Sequence, residues 1–253
     1  MATVGVIPAA GHARRLGPID CSKEVLSVAG RPVMDYLIDR LRVAPCSELR
    51  VVTRPEKTDV IANAARHGAV VVSGRPGSVA ESIAMGISGL PDEDIVLFGF
   101  PDTLWEPEDG YRRLIPLVEK SGGVALGLFR AEELERSDVV EIEASGHVTR
   151  IAVKPKQPSS DLIWGCAAAR AGCLRALGAA AEPSEHFNLL CDDREVRGVW
   201  LSDVWIDVGT RLALRKARQA GGWRHPAEVD PQRASRSGTD GAGLAARTPP
   251  ASP

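Results

Sequence analysis

Short apolar runs and amphipathic segments alternate along the first hundred residues of this chain. Apolar runs of strand length occur at 3–7, 49–53, 69–72 and 94–100. Between them, apolar residues recur at helical spacing in a segment that begins at 31–32 and in segments at 56–67 and 79–87. Strands that alternate with helices in this way indicate βαβ units. The sequence therefore predicts an α/β fold, and the unbroken run DIVLFGF at 94–100 predicts a strand buried on both faces of a parallel sheet.

The second half of the chain adds a different strand pattern. Apolar segments at 139–142 and 148–153 flank the turn residues Ala-Ser-Gly at 144–146, which is typical of an antiparallel hairpin. Inserted antiparallel strands predict a second, smaller lobe beside the first. The remaining elements are predicted as strands at 123–129, 163–169 and 196–206 and as helices at 111–120, 173–181 and 212–220.

Composition and charge exclude several classes of protein. The 253 residues are 44% hydrophobic and 25% charged, which is ordinary for a globular protein. A net charge of −2 gives no electrostatic footprint for nucleic acid or for an anionic membrane. The longest apolar runs fall far short of the roughly 20 residues of a membrane-spanning helix. We therefore expect neither a nucleic-acid partner nor a membrane partner.

The ends of the chain and its cysteines bear on compartment and domain organisation. The sequence enters a strand pattern at residue 3 without a basic segment or cleavage site, so no secretory signal is expected. The five cysteines are odd in number and lack paired spacing, which favours reduced thiols in a cytoplasmic protein. From residue 221 onward the hydrophobic periodicity stops. We predict a folded domain over 1–220 and a disordered tail over 221–253.

The loop after the first strand has the composition of a phosphate site. Pro8 ends the strand, and the small residues at 9–11 (Ala-Ala-Gly) lead to Arg14, Arg15 and Lys23. Small side chains let backbone N–H groups approach an anion, and the cations supply the opposing charge. The alternative is a solvated cluster of charges on a surface loop.

Two aspartates follow strands at positions where ligands of α/β sheets bind. Asp102 comes directly after the strand at 94–100, and Asp207 ends a strand just before a helix. Two carboxylates at one edge suit a Mg²⁺ ion that bridges phosphates, although either could instead be a turn residue or a helix cap. Lys154 ends another strand, where it binds a ligand or lies on the surface. His12 is a weaker candidate, as a general base, because phosphoryl transfer to an ionised oxygen depends mainly on positioning and charge.

Taken in order, these motifs resemble the sugar-phosphate nucleotidylyltransferases, the family of glucose-1-phosphate thymidylyltransferase. The resemblance covers about residues 1–220. Its motifs are PAAGHARRLGP at 8–18 followed by Lys23, PDT at 101–103, VKP at 153–155 followed by Gly165, and WIDVGT at 205–210. The last motif matches the family pattern without change, in the expected order after the first.

The resemblance implies a fold, a reaction and a set of site residues. The implied fold is a Rossmann-like three-layer α/β structure with a mixed, mainly parallel sheet and a small antiparallel sugar-binding lobe. The implied reaction is Mg²⁺-dependent and joins a nucleoside triphosphate to a sugar 1-phosphate, releasing pyrophosphate. The implied roles are catalysis by Arg15 and Lys23, nucleotide binding by Ala9, Ala10, Gly11, Gly77, Ser78 and Pro101, sugar-phosphate binding by Lys154 and Gly165, and metal binding by Asp102 and Asp207. A homo-oligomer is compatible with the resemblance.

Several positions depart from the family pattern. Ala13 and Arg14 replace its Gly-Thr pair, and Val153 stands where a sugar-binding glutamate is common. No glutamine of the kind that thymidylyltransferases use on the pyrimidine occurs near Ser73. The base and the sugar are therefore left open. Two alternatives also remain open, a transferase that acts on a non-sugar phosphorylated acceptor and a catalytically silent, ligand-binding homologue.

Overall fold

A mixed β-sheet organises the fold. The computed structural model describes residues 1–13, 15–131 and 133–220 and Trp223. Within these residues nine strands form one sheet. The strands are β1 (Thr3–Pro8), β4 (Glu48–Thr53), β5 (Val70–Ser73), β6 (Ile95–Gly99), β8 (Val124–Arg130), β9 (Val139–Ile142), β10 (Val148–Ala152), β11 (Leu162–Arg170) and β12 (Val196–Ser202). Seven of them lie in the order β10-β9-β11-β6-β1-β4-β5, and β8 pairs with β11 and β12 with β8.

The sheet has a parallel part and an antiparallel part. Strand β1 pairs in parallel with β4 and β6, and β4 with β5, as the βαβ pattern predicts. Strand β11 runs antiparallel to both β6 and β8, and β9 and β10 form the predicted hairpin. The hairpin joins the edge of the large sheet through the pair Ile163 and Val139.

Helices cover both faces of the sheet. They are α1 (Val33–Val43), α2 (Thr58–Arg66), α3 (Val79–Gly86), α4 (Gly110–Ser121), α5 (Pro183–Cys191) and α6 (Arg211–Gln219). Strand β6 is buried along its whole length and sends alternate side chains into two cores. Phe98 packs in the core with α3 and α5, and Leu97 packs in the core with α1 and α4. These layers confirm the predicted three-layer α/β fold.

Two small sheets complete the described part of the chain. Strands β2 (Ser27–Val28) and β3 (Arg31–Pro32) form one, and β7 (Thr103–Trp105) and β13 (Trp205–Asp207) form the other. Across residues 1–220 apart from 14 and 132, no helix is both long and apolar enough to cross a membrane.

Two element predictions were wrong, and one helix was missed. The single strand predicted at 196–206 is two strands, because the chain turns where the Ser202 hydroxyl accepts the Val204 amide at 3.0 Å, and β13 then pairs with β7. The helix predicted at 173–181 is a 3-10 helix at Gly172–Ala179. Helix α5 was not predicted, although a capping box formed by Glu182 and Glu185 marks its start. The predicted tail, apart from Trp223, and Arg14 lie outside the described residues.

Candidate active site

The small sheet of β7 and β13 brings Asp102 and Asp207 together. Asp207 is paired with Thr103, and the amide of Val208 donates to the carbonyl of Asp102 at 2.8 Å. The two aspartates are 105 positions apart in sequence, so this pairing could not be deduced from local pattern. It places both carboxylates at one edge of the fold, as predicted from the ends of the two strands.

Asp207 does not cap α6, the helix that follows it in the sequence. Thr210 caps α6, since its hydroxyl accepts the amide of Ala213 at 3.2 Å. Asp207 instead accepts the amide of Gly209 at 2.7 Å, within a turn, and turns its other oxygen to a cation. The alternative in which Asp207 serves only as a helix cap is therefore excluded.

Each carboxylate is paired with one of the predicted catalytic cations. Lys23 Nζ lies 2.6 Å from Asp102 Oδ2, and Arg15 Nη2 lies 3.2 Å from Asp207 Oδ2. The first pair is enclosed, with side-chain exposures of 19% and 9%, whereas the Arg15 side chain is 53% exposed. The solvated-loop alternative therefore does not describe Lys23.

The two carboxylates have opposite pKa shifts. Burial by itself would raise the pKa of Asp102, but the charge and the hydrogen bond of the Lys23 ammonium outweigh burial and hold this pKa below its ordinary value. Burial and then the negative charge of Asp102 raise the pKa of Asp207, against the opposing effect of Arg15. The site therefore holds two repelling carboxylates at an edge where a further cation would relieve the repulsion.

A cavity of about 510 Å³ opens onto these groups. Arg15, Lys23, Asp102 and Asp207 all line it, and so does Lys154. Its other charged lining residues are Arg130, Glu133, Arg136, Asp138, Glu182, Asp203 and Lys216. Phe100 and Trp164 are among its apolar walls. A cavity of this size and mixed polarity accommodates a ligand with several charged or hydroxyl groups.

Lys154 lines this cavity, whereas Gly165 itself is not one of its lining residues. Lys154 has a left-handed backbone (φ 43°), and its ammonium forms an ion pair with Glu182. Gly165 packs beneath β13, where an added Cβ would lie 2.6 Å from Trp205 Nε1. The absence of a side chain at Gly165 therefore leaves the space that the Trp205 indole occupies.

None of the predicted nucleotide-binding residues lines this cavity. Gly11 lines a second cavity of about 430 Å³, which shares Lys23 with the first. Within the described residues, the linings of these two cavities do not include Ala9, Ala10, Gly77, Ser78 or Pro101. At the start of α3, the Ser78 hydroxyl accepts the Glu81 amide at 3.0 Å, and Glu81 Oε2 accepts the Gly77 amide at 2.6 Å. Gly77 and Ser78 therefore form the cap of α3.

Sequence reasoning missed a hydrogen-bonded chain in the cavity wall. Trp164 Nε1 donates to Ser184 Oγ at 2.7 Å, and the Ser184 hydroxyl donates to Asp138. Burial raises the pKa of Asp138, with the Ser184 hydrogen bond opposing it. Ser184 belongs to α5, which was not predicted, so these two hydrogen bonds could not be predicted either.

Comparison with known proteins supports a nucleotidyltransferase. A glucose-1-phosphate thymidylyltransferase of Neisseria gonorrhoeae is 25% identical over 236 residues, which cover 84% of this chain and 80% of that protein. A low-salt glycan biosynthesis nucleotidyltransferase of Haloferax volcanii is 24% identical over 168 residues, or 62% of this chain. That match spans 46% of the length of the Haloferax protein, so this chain corresponds to about half of it.

A solved structure shares the fold. The UDP-glucose pyrophosphorylase from Acinetobacter baumannii superposes with a TM-score of 0.76 at 18% identity, over 89% of this chain and 95% of that one. At this identity the likeness concerns the fold alone. The Neisseria relative is a glucose-1-phosphate thymidylyltransferase by name, which confirms the predicted resemblance to the family of that enzyme.

The family match covers most of the described chain. The MobA-like NTP transferase domain family matches residues 5–190, a span that begins in β1 and ends in α5. This span contains Lys23, Asp102 and Lys154, while Asp207 lies beyond it. The chain belongs to the family of MobA-like NTP transferase domains.

Proposed function

We propose that this protein is a sugar-1-phosphate nucleotidylyltransferase. An oxygen of the sugar 1-phosphate attacks the α-phosphorus of a nucleoside triphosphate. The bond from that phosphorus to the bridging oxygen of the β-phosphate breaks, and pyrophosphate and a nucleoside diphosphate sugar are formed. The observation that carries this proposal is the meeting of Asp102, Asp207, Lys23 and Arg15 at a cavity that also contains Lys154.

The two aspartates fit a magnesium site. Across the described residues, no group of three or more histidines, cysteines or acidic residues could hold a metal ion by itself. Two carboxylates that repel each other suit Mg²⁺ when phosphate oxygens and water complete its ligand set. Asp102 and Asp207 would hold the ion, which when bound would supply charge neutralisation and Lewis-acid polarisation across the phosphates.

The cations of the site neutralise charge on the nucleotide. The nucleophile is an ionised phosphate oxygen, so the chemistry depends on orientation and electrostatic stabilisation and does not require a general base. The Lys23 ammonium is enclosed and fixed, and it lies between the two cavities. Arg15 is exposed at the mouth, where it meets the polyphosphate of an entering nucleotide. Together they stabilise the charge that develops on the leaving pyrophosphate.

Lys154 provides the counter-charge for the acceptor. Its pairing with Glu182 holds the ammonium in the cavity before a phosphate arrives. Arg130, Asp138 and Asp203 line the same space and offer hydrogen-bonding partners to a hydroxyl-rich acceptor. We assign Gly165 to the same subsite, through its backbone and through the support it gives to Trp205.

The nucleotide contacts are assigned to backbone segments. Ala9, Ala10 and Gly11 follow β1, and Pro101 precedes Asp102, so these segments border the metal-binding edge. Gly77 and Ser78 at the start of α3 are assigned to the base. The sequence departures at Ala13 and Val153 leave open which base and which sugar are used.

A substrate panel tests this function. The protein is incubated with Mg²⁺, each of the common nucleoside triphosphates and a set of sugar 1-phosphates, and the products are identified by mass spectrometry. We expect a nucleoside diphosphate sugar from at least one pair. A product formed only with phosphorylated alcohols identifies a non-sugar acceptor. Nucleotide binding without any product identifies a silent homologue.

A further inference from the structure

Two cations bind three consecutive carbonyl groups of the loop that follows β1. Lys57 Nζ donates to the carbonyl of Ala9 at 2.9 Å and to that of Gly11 at 2.9 Å. Arg54 Nε donates to the intervening carbonyl of Ala10 at 2.8 Å. The backbone of residues 9–11 is therefore held by side chains from the segment between β4 and α2.

Lys57 also belongs to a buried ion pair. Its Nζ lies 2.7 Å from each carboxylate oxygen of Glu24, which is completely buried. Its three N–H groups therefore serve four acceptors. Glu24 directly follows Lys23 in the 3-10 turn Lys23–Val25. One ammonium group thus connects the loop backbone to the neighbour of the proposed catalytic lysine.

The bound carbonyls determine where the loop amides point. In a planar trans peptide, the C=O of one residue and the N–H of the next point in opposite directions. Fixing the carbonyls of residues 9–11 toward Lys57 and Arg54 therefore directs the amides of residues 10–12 away from these cations. The amide of Ala9 is already used, since it donates to the carbonyl of Val52 at 2.8 Å.

The loop borders the Lys23 ammonium. A Cβ added at Gly11 would lie 3.7 Å from Lys23 Nζ, and Gly11, His12 and Lys23 line the same cavity. Amides turned outward next to an ammonium form a concave site of positive potential, the kind of site that binds anions. The positive charge behind the carbonyls polarises the same peptide groups and strengthens their N–H groups as donors.

We propose that Lys57 is a positioning residue for polyphosphate binding. With Glu24 and Arg54 it holds the loop so that the amides of Ala10, Gly11 and His12 form an anion cradle beside Lys23. Lys57 acts through the loop and does not itself touch the substrate. This inference rests on the proposed function for the identity of the anion, which is the polyphosphate of the nucleotide.

A purely structural role would give a different result from a positioning role. Removal of Lys57 alone leaves the buried carboxylate of Glu24 without a counter-charge. This destabilises the protein whether or not the loop changes conformation. Replacement of both partners by apolar side chains of similar volume, in Lys57→Met/Glu24→Leu, leaves no stranded charge. The carbonyls of Ala9 and Gly11 still lose their hydrogen bonds from Lys57, although the Ala9 carbonyl keeps the one from the Thr53 hydroxyl at 3.3 Å. The double variant therefore separates the two roles.

The experiment titrates inorganic tripolyphosphate into the full chain by calorimetry and records the thermal midpoint of each variant. We expect Lys57→Met and the double variant to bind at least tenfold more weakly than the wild type, while the double variant recovers thermal stability relative to the single one. Arg113→Met is the matched control because it breaks an exposed ion pair with Asp109 on α4, and its affinity should stay within twofold. In turnover assays the KM for the nucleotide should rise while that for the acceptor stays within twofold.

Two outcomes would overturn the positioning role. One is a folded double variant that binds tripolyphosphate within twofold of the wild type. The other is a wild-type protein that does not bind tripolyphosphate. Failure of the proposed function has a different signature, in which no acceptor yields a product although tripolyphosphate binds and its binding depends on Lys57.

Discussion

The Lys23 ammonium lies 2.6 Å from Asp102 Oδ2, in an enclosed pair at the proposed metal site. A metal ion held by Asp102 would compete with this ammonium for the carboxylate. Lys23 would then be free to pair with the phosphates of the nucleotide, to which its charge is equally suited. The ion pair therefore keeps the proposed catalytic cation in place and the proposed metal ligand ionised at the same time.

Replacing Lys23 separates these two roles. Lys23→Met should lower kcat by about 100-fold, the usual effect of removing one donor that stabilises developing charge. It should leave the affinity for a divalent ion unchanged or tighter at about pH 8, because the competing ammonium is gone and this pH offsets the rise in the Asp102 pKa that loss of Lys23 causes. Mn²⁺ binding followed by water proton relaxation measures the second effect. Loss of ion binding together with turnover would contradict the assignment.

The two aspartates should each be required for metal-dependent turnover. Asn keeps the shape of the side chain and removes its charge, so Asp102→Asn and Asp207→Asn should each reduce the rate by about 100-fold or more. Glu143→Gln is the control, since Glu143 is an exposed carboxylate paired with Arg194. Initial rates at saturating Mg²⁺ measure the effect. Unchanged rates in both aspartate variants would remove the metal assignment.

The raised pKa of Asp207 predicts a pH dependence of metal binding. Burial and the charge of Asp102 raise this pKa above its ordinary value of 3.8, so the carboxylate takes up a proton at a higher pH than most aspartates do. Since a metal ion binds the ionised form, affinity should weaken as the pH falls toward this raised pKa, at a pH where an ordinary aspartate stays ionised. The Mg²⁺ concentration for half-maximal rate measures this. Asp207→Asn should abolish the dependence, and a flat profile in the wild type would contradict it.

Gly165 should matter through packing. In Gly165→Ala the added Cβ lies 2.6 Å from Trp205 Nε1 and 2.9 Å from a ring carbon of Phe129. Overpacking of this kind costs about 1–3 kcal/mol. Trp205 is two residues before Asp207 on β13, so its displacement should also lower turnover.

The thermal midpoint and kcat of Gly165→Ala measure both effects. Gly178→Ala is the control, because an added Cβ there meets only Ala84 Cβ at 3.3 Å. A Gly165→Ala variant with wild-type stability and rate would show that this glycine has no packing role.

Local patterns predicted most of the elements, but they did not predict the contacts between residues far apart in the sequence that form the site. The run at 94–100 indicated a buried strand because a strand covered on both faces has no polar alternation, and β6 is that strand. Asp102 and Asp207 were found because each stands at the end of a predicted strand. Their contact depends on β7, a three-residue strand that its sequence does not distinguish from a loop.

The hydrogen bonds from Lys57 and Arg54 to the loop at 9–11 could not be predicted, for a related reason. Lys57 and Glu24 are 33 residues apart, and each reads as an ordinary surface charge until the fold buries Glu24. The same holds for Ser184, whose hydroxyl is buried by a helix that the sequence pattern did not reveal. Buried polar partners are determined by tertiary packing, which one sequence does not display.

Pyrophosphate release tests nucleotidyl transfer most directly. Initial rates are measured with Mg²⁺ and each nucleoside triphosphate, with and without a sugar 1-phosphate. We predict release that requires both the acceptor and Mg²⁺ for at least one pair, and that falls by about 100-fold in Asp102→Asn. No release with any pair, or release that is unaffected when the acceptor is omitted, would contradict the proposed function.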